Sequence, residues 1–249
     1  MKKLLLLTIA LVAFGATTAL AAAPGVNLSW ANCATTAASG NKTIACDGAL
    51  GSPIQIQGTF RPNFNITFTT PGTGFAGCSS VLDVGFNAPV PDYWKMQAGE
   101  CNALAVLSTV NPSQTAPCAA TAIFDPTFSG GGYAANYPTP SRIRFRVDWA
   151  TGAPTPPSIA SGSLYPAFKM QFDPDNGVNS GCTGCEMPAC LVVNSIEVFG
   201  FLSTDDYVIN TQDTRQFVTW NGGAIGGNGC PAETPAMNKT WGSVKALYR

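Results

Sequence analysis

Hydrophobic and polar residues alternate strictly along residues 141–149, SRIRFRVDW. Ile143, Phe145, Val147 and Trp149 hold one set of alternate positions, and Arg142, Arg144, Arg146 and Asp148 hold the other. A period of two marks a strand with one dry and one wet face. Residues 63–69 repeat the pattern with Phe64, Ile66 and Phe68, and residues 167–172 with Phe168, Met170 and Phe172. Residues 81–86, 104–107 and 217–220 read as shorter strands. Residues 191–201 form a long apolar run broken by Asn194 and Glu197, read as a central strand pair or one bent strand. The 26 glycines and 19 prolines punctuate these segments throughout, as turns between short strands do. The pattern predicts an all-β fold, an antiparallel sandwich or jelly roll. The loop-like TGAPTPPSIAS, residues 151–161, is too short to divide the chain, so residues 22–249 are expected to form one domain.

Two segments depart from the strand pattern. Residues 1–23 open with Lys2 and Lys3, continue through an apolar core and end in small residues. This predicts a secretory signal peptide over residues 1–21, cleaved after Ala21 or Ala23. No other apolar run is long enough to cross a membrane as a helix. The expected location is the periplasm or the extracellular space. At the other end, Thr234 and Pro235 suit a helix start. Met237, Trp241, Val244 and Tyr248 follow at helical spacing, which predicts a capping helix over residues 234–249.

Charge narrows the function classes. Charged residues make up 11% of the chain, against about 25% for an average soluble domain. Removing Lys2 and Lys3 leaves eleven basic residues against fourteen acidic ones. Such a chain lacks the basic footprint of a nucleic-acid binder. It also contains no histidine, which removes the commonest general base, the Ser-His and Cys-His nucleophile pairs and most catalytic zinc sites.

Three of the six arginines stand on the wet face of SRIRFRVDW. Successive side chains on one strand face are about 6.6 Å apart. Arg142, Arg144 and Arg146 could therefore read a repeating anion, or pair with acids such as Asp83, Asp173 or Glu197 on neighbouring strands. The acidic balance of the chain favours pairing.

The nine cysteines are Cys33, Cys46, Cys78, Cys101, Cys118, Cys182, Cys185, Cys190 and Cys230. In an exported chain they are expected to form four disulfides and leave one thiol. Cys33 with Cys46, and Cys101 with Cys118, are the expected local loops; Cys78 is the expected free thiol. Cys182, Cys185 and Cys190 form a C-x2-C-x4-C block that, with Cys230, could also hold zinc or act as a redox pair. The oxidising compartment favours structural bridges. Asp173, Asp175 and Asn176 in FDPDNGVNSG partly match a calcium loop, but they also match ordinary turn chemistry. No other cofactor is implied. Tyr93 and Trp94, with Tyr133 and Tyr137 of GGGYAANY, lie in expected loops and could stack on sugars.

Three blocks carry a resemblance: GVNLSWANC at residues 25–33, CTGCEMPACLVVNSI at residues 182–196 and TWGSVKALYR at residues 240–249. The chain resembles a group of exported, cysteine-rich hypothetical proteins of environmental bacteria with a similar opening, cysteine block and ending. The resemblance implies one secreted domain and transfers no catalytic residue. Cys78 matches no cysteine of that group. The reading is a non-enzymatic secreted binding or surface protein, with polysaccharide the favoured ligand. A structural cell-surface component is the second reading, and a carboxylate-based glycoside hydrolase or lyase the third.

Overall fold

The computed structural model describes residues 23–30, 40–47, 54–103, 106–109, 123, 129–213 and 215–223. The expected signal peptide and C-terminal helix lie outside the described residues. The strands are β1 (Gly25–Trp30), β2 (Asn41–Lys42), β3 (Ile54–Arg61), β4 (Phe75–Gly85), β5 (Val106–Thr109), β6 (Ser129–Thr139), β7 (Arg142–Thr151) and β8 (Tyr165–Phe172). A short helix, α1 (Pro174–Asn179), leads to β9 (Ala189–Gly200), β10 (Tyr207–Ile209) and β11 (Phe217–Trp220).

Alternation sorts these strands into two facing sheets. One has the order β1-β3-β8-β5. The other runs β2-β11-β9-β4-β7-β6, with β10 also paired to β9. Among the described strand pairs only β2 with β11 is parallel, and one isolated bridge, Val26 with Gln212, is parallel as well. The core lies between the sheets. From β8 it receives Phe168, Met170 and Phe172, and from β7 Ile143, Phe145, Val147 and Trp149, all buried. The expected all-β sandwich is the fold. Among the described residues no helix is long and apolar enough to cross a membrane.

The run at residues 191–201 is one bent strand, β9. Val81 of β4 stands opposite Ser195, but Leu82 stands opposite Val193, so Asn194 is an extra residue. A bulge of this kind shifts the two-residue phase by one. It lets Leu191 and Val193 on one side of the bulge, and Ile196 and Val198 on the other, all reach the core.

Other expectations need correction. Residues 63–69 do not form a strand; they make one bridge, between Ile66 and Ile159. Pro62 cannot donate to a ladder, and a turn at Pro71–Gly72 cuts the segment short. One of its two aromatic residues still packs, since Phe64 stacks on Tyr207 with ring centroids 3.8 Å apart. GGGYAANY is not a loop but most of β6. It pairs with β7 from Ser129 opposite Thr151 to Asn136 opposite Arg144. Its glycines weaken strand propensity, so the β7 ladder rather than side-chain packing holds residues 130–132. Residues 174–179 form α1 instead of a tight turn. Asp173 Oδ1 accepts the N–H groups of Asp175 and Asn176 at 3.0 and 3.2 Å, an N-cap ahead of Pro174.

Candidate functional site

The outward face of the larger sheet carries the arginine row. Asp83 of β4 stands opposite Arg144 of β7, and antiparallel pairing brings such side chains within contact. Arg144 Nε and Nη2 donate to the two Asp83 oxygens at 2.7 and 2.9 Å. Arg142 Nη1 donates to Asp83 Oδ2 at 3.3 Å. The Asp83 bond pushes the Arg144 pKa further above its ordinary value, against a smaller opposing effect of burial. Arg146 Nε donates to Asp148 Oδ1 at 2.9 Å and to Ser79 Oγ at 3.1 Å. The arginines thus pair with neighbouring acids rather than lying ready as an anion ladder.

The Asp83 carboxylate is 6% exposed, whereas its arginine partners are 24% and 39% exposed. Truncating Asp83 therefore leaves guanidinium groups that water can still reach. Asp83→Ala is expected to cost about 1–2 kcal/mol, below the ~3–5 kcal/mol of a sealed pair. Thermal denaturation of the variant beside wild type checks this.

Further along the same face, toward the start of β4, lies a groove of about 470 Å³. Gly130 and Gly132 of β6 and Ala150 of β7 line its floor, with Gly77 of β4 beside them. Arg146 and Asp148 supply charged groups and Phe199 of β9 a half-buried ring. Glycine has two distinct uses here. A Cβ on Gly77 would run into the Trp149 carbonyl oxygen, so the close approach of β4 and β7 requires glycine. A Cβ on Gly130 or Gly132 would meet no atom within 4 Å, so those positions leave space open above the sheet. Arg146 and Asp148 side chains are 58% and 50% exposed. A planar donor, a carboxylate acceptor and a phenyl face beside a flat floor can hold a polyhydroxylated ring: hydroxyls on the charges, C–H groups on the ring.

The structure does not bring the expected aromatic residues to this groove. Tyr93 and Trp94 are 1% and 0% exposed. They pack on Trp220 with centroids 6.0 and 5.1 Å away and belong to the core, not to a sugar platform. Burial, with the charges of Asp173 and Asp175, pushes the Tyr93 pKa up. The Tyr93 hydroxyl and the Trp94 indole N–H have no hydrogen-bond partner among the described residues. Tyr137 is half-buried and donates a short hydrogen bond to Glu100 Oε2; burial and that bond raise its pKa. Tyr133 lies in β6 opposite Val147.

The cysteines pair across the fold. Cys46 bonds Cys185 and Cys101 bonds Cys182, 139 and 81 positions apart, so both expected local loops are wrong. The turn at residues 182–185 lies between the segments that carry Cys46 and Cys101, and proximity in space outweighs proximity in sequence. Cys190 is disulfide-bonded as well. No thiolates are left at Cys182 and Cys185 for zinc, and the CxxC pair does not bridge to itself. Cys78 is free and buried, with its Sγ 3.4 Å from the Ala167 carbonyl oxygen. Burial pushes its pKa up. The thiol faces the other sheet and is closed to solvent. Asp173 spends its oxygen on the α1 cap. Among the described residues no three His, Cys, Asp or Glu side chains cluster closely enough to hold a metal ion.

The groove could not be read from the pattern. Arg146 and Asp148 were visible, but Gly77, Gly130, Gly132 and Phe199 come from three other strands. The one available signal was the glycine triplet at residues 130–132, which reads as a loop in isolation. Fold and site together define a disulfide-bonded β-sandwich protein with a groove on one sheet face. Comparison of the chain with family models, curated proteins and solved structures gave no match.

Proposed function

We propose that this is an exported, non-enzymatic binding protein that holds a carbohydrate in the outward groove of the larger sheet. The observation that supports the reading is the groove itself: Arg146 and Asp148 beside Phe199, over a floor kept open by Gly130. The ion pair makes the site nearly neutral, which suits a neutral polysaccharide. Disulfides and the leader-like residues 1–21 support export to the periplasm or outside the cell. Among the described groove residues Asp148 is the one carboxylate. Glycoside hydrolysis needs two, so binding is preferred to the hydrolase or lyase reading. The binding needs no cofactor, calcium included.

The test is retention on a panel of immobilised polysaccharides, followed by titration of whichever is bound. Gly130→Leu adds a side chain to the groove floor at a position where its Cβ meets no atom within 4 Å. Arg146→Ala with Asp148→Ala removes the polar contacts. Each is expected to weaken binding at least tenfold, about 1.4 kcal/mol, with the thermal transition little moved. Equal retention of wild type and Gly130→Leu would exclude this groove.

A structural cell-surface role is the second reading. What favours it is the position of β6, the end strand of the larger sheet among the described strands.

A further inference from the structure

The strand register lays two rows of residues side by side across the outward face of the larger sheet. One row is the groove floor: Phe199, Gly77, Ala150 and Gly130 stand opposite one another on β9, β4, β7 and β6. The next row holds Val208, Glu197, Ser79 and Asp148 on β10, β9, β4 and β7. Residues directly opposite each other share a face, and residues two apart on a strand do so too. A row with two carboxylates therefore runs beside the apolar floor.

The acids of this face are not equivalent. Asp83 is held by Arg142 and Arg144, and Asp148 by Arg146. Glu197 has neither an ion pair nor a side-chain hydrogen bond among the described residues. Its cross-strand neighbours do not supply one: Val208 is apolar, and the Ser79 oxygen already accepts from Arg146. Glu197 is half-buried, so its charge loses part of its hydration without a compensating contact. The row around it is open, with Val208 60% exposed and the Asp148 side chain 50% exposed.

We infer that Glu197 is the specificity-determining residue of the groove: it accepts hydroxyl groups of a neutral sugar chain and turns acidic chains away. The inference rests on the carbohydrate reading and extends it to the charge and length of the ligand. An ionised carboxylate only accepts hydrogen bonds, so it takes ligand O–H groups and offers nothing to an anion. Arg146 is matched by Asp148, which leaves Glu197 as the uncompensated charge of the two rows. Charges act over about 8–10 Å at physiological salt, so an acidic unit in the groove would lie within its field. The strands of Asp148 and Glu197 flank β4 and are two strand spacings apart, about 10 Å. That is wider than one pyranose ring, so a ligand touching both is at least a disaccharide. The unit beside Glu197 then has its C–H groups on Phe199, two residues along the same strand.

Affinity gel electrophoresis with matched polymers tests this: hydroxyethylcellulose against carboxymethylcellulose, and dextran against carboxymethyl dextran. The members of each pair share a backbone and differ in charge. Wild type is expected to be retarded by a neutral member and not by its acidic partner. Glu197→Gln keeps the shape of the side chain and removes its charge. It is expected to weaken neutral binding about fivefold, the difference between a charged and an uncharged acceptor, and to gain retardation by the acidic partner. A merely structural role would move both in the same direction. Competition with oligosaccharides of the retarding neutral polymer reads the span: wild-type affinity should rise at the second unit, and rise less in Glu197→Gln. A wild type retarded by neither neutral polymer, and retained by no other polysaccharide, overturns the carbohydrate reading and this inference with it. A wild type that binds, with Glu197→Gln behaving as wild type, overturns this inference alone. So does shortening of the bound polymer during incubation, since Asp148 and Glu197 would then be a hydrolytic pair.

Discussion

Replacing Trp94 by alanine is expected to lower the unfolding free energy by about 3–5 kcal/mol, the usual range for deleting a buried tryptophan. Trp94 is fully buried and sits among Trp220, Phe86 and Phe172, with centroids 5.1, 5.5 and 5.8 Å away. Sandwich cores tolerate such a hole poorly, because both sheets would have to move to close it. Trp94→Phe should cost less than the alanine change. The ring contacts partly survive, and the indole N–H, which has no partner among the described residues, is removed with its desolvation cost. Urea denaturation separates the cases by a shift in midpoint at constant slope. A variant that keeps wild-type stability but loses ligand binding would return Trp94 to the surface role its sequence context suggested.

Removing the Cys46–Cys185 bridge by a double serine substitution is expected to cost about 4 kcal/mol. The bridge closes a separation of 139 positions, and the stabilisation grows only with the logarithm of loop length. The Cys101–Cys182 bridge ends three residues from Cys185 in the same turn. With that bridge intact, the shortest closed path through Cys46–Cys185 is far shorter than the full separation. Each bridge therefore contributes less in the presence of the other, and removing both should cost less than twice the single loss. Guanidinium denaturation of the three variants measures this directly. A single loss below about 1 kcal/mol would mean that the unfolded chain is not restrained by the bridge.

Much of the fold was legible in the alternation, and its limits are instructive. SRIRFRVDW gave β7 because its apolar set is large and unbroken, and residues 167–172 gave most of β8 for the same reason. Residues 63–69 alternate just as well but, among the described residues, have no strand to pair with beyond one bridge. Alternation reports which face is dry, not whether a ladder is available. β6 failed in the opposite sense: its glycines carry no facial signal, and only the β7 ladder makes it a strand. The disulfides illustrate a further limit. Cys46 and Cys185 meet because β2, β9 and β11 adjoin in one sheet, and that adjacency has no local signature. At the site, pairing of the arginine row with acids on neighbouring strands was legible, but Asp83 stood beside Asp173 and Glu197 as a candidate, and only the β4–β7 register selects it. The groove needed four strands at once.

The two described bridges and the groove occupy opposite ends of β4. Trp220 Nε1 donates to the Cys185 carbonyl at 2.8 Å, and Trp220 pairs with Ala189, beside Cys190, which faces Gly85. The groove adjoins Gly77, about 25 Å away along the strand. Sulfur bonds thus tie down one pole, while β6 at the other is held by the β7 ladder and by the bonds of Ala135 and Tyr137 to residues 97–100, with no disulfide among the described contacts. For a molecule anchored to a surface and pulled by flow, the direction of the load then matters. Tension applied through β6 peels the ladder one rung at a time, at low force. Tension applied through residues 182–185 meets covalent links to two distant segments and must shear the sheet as a whole. A ligand chain gripped at the groove end would pull on the compliant pole, and the molecule would release its load before its fold failed.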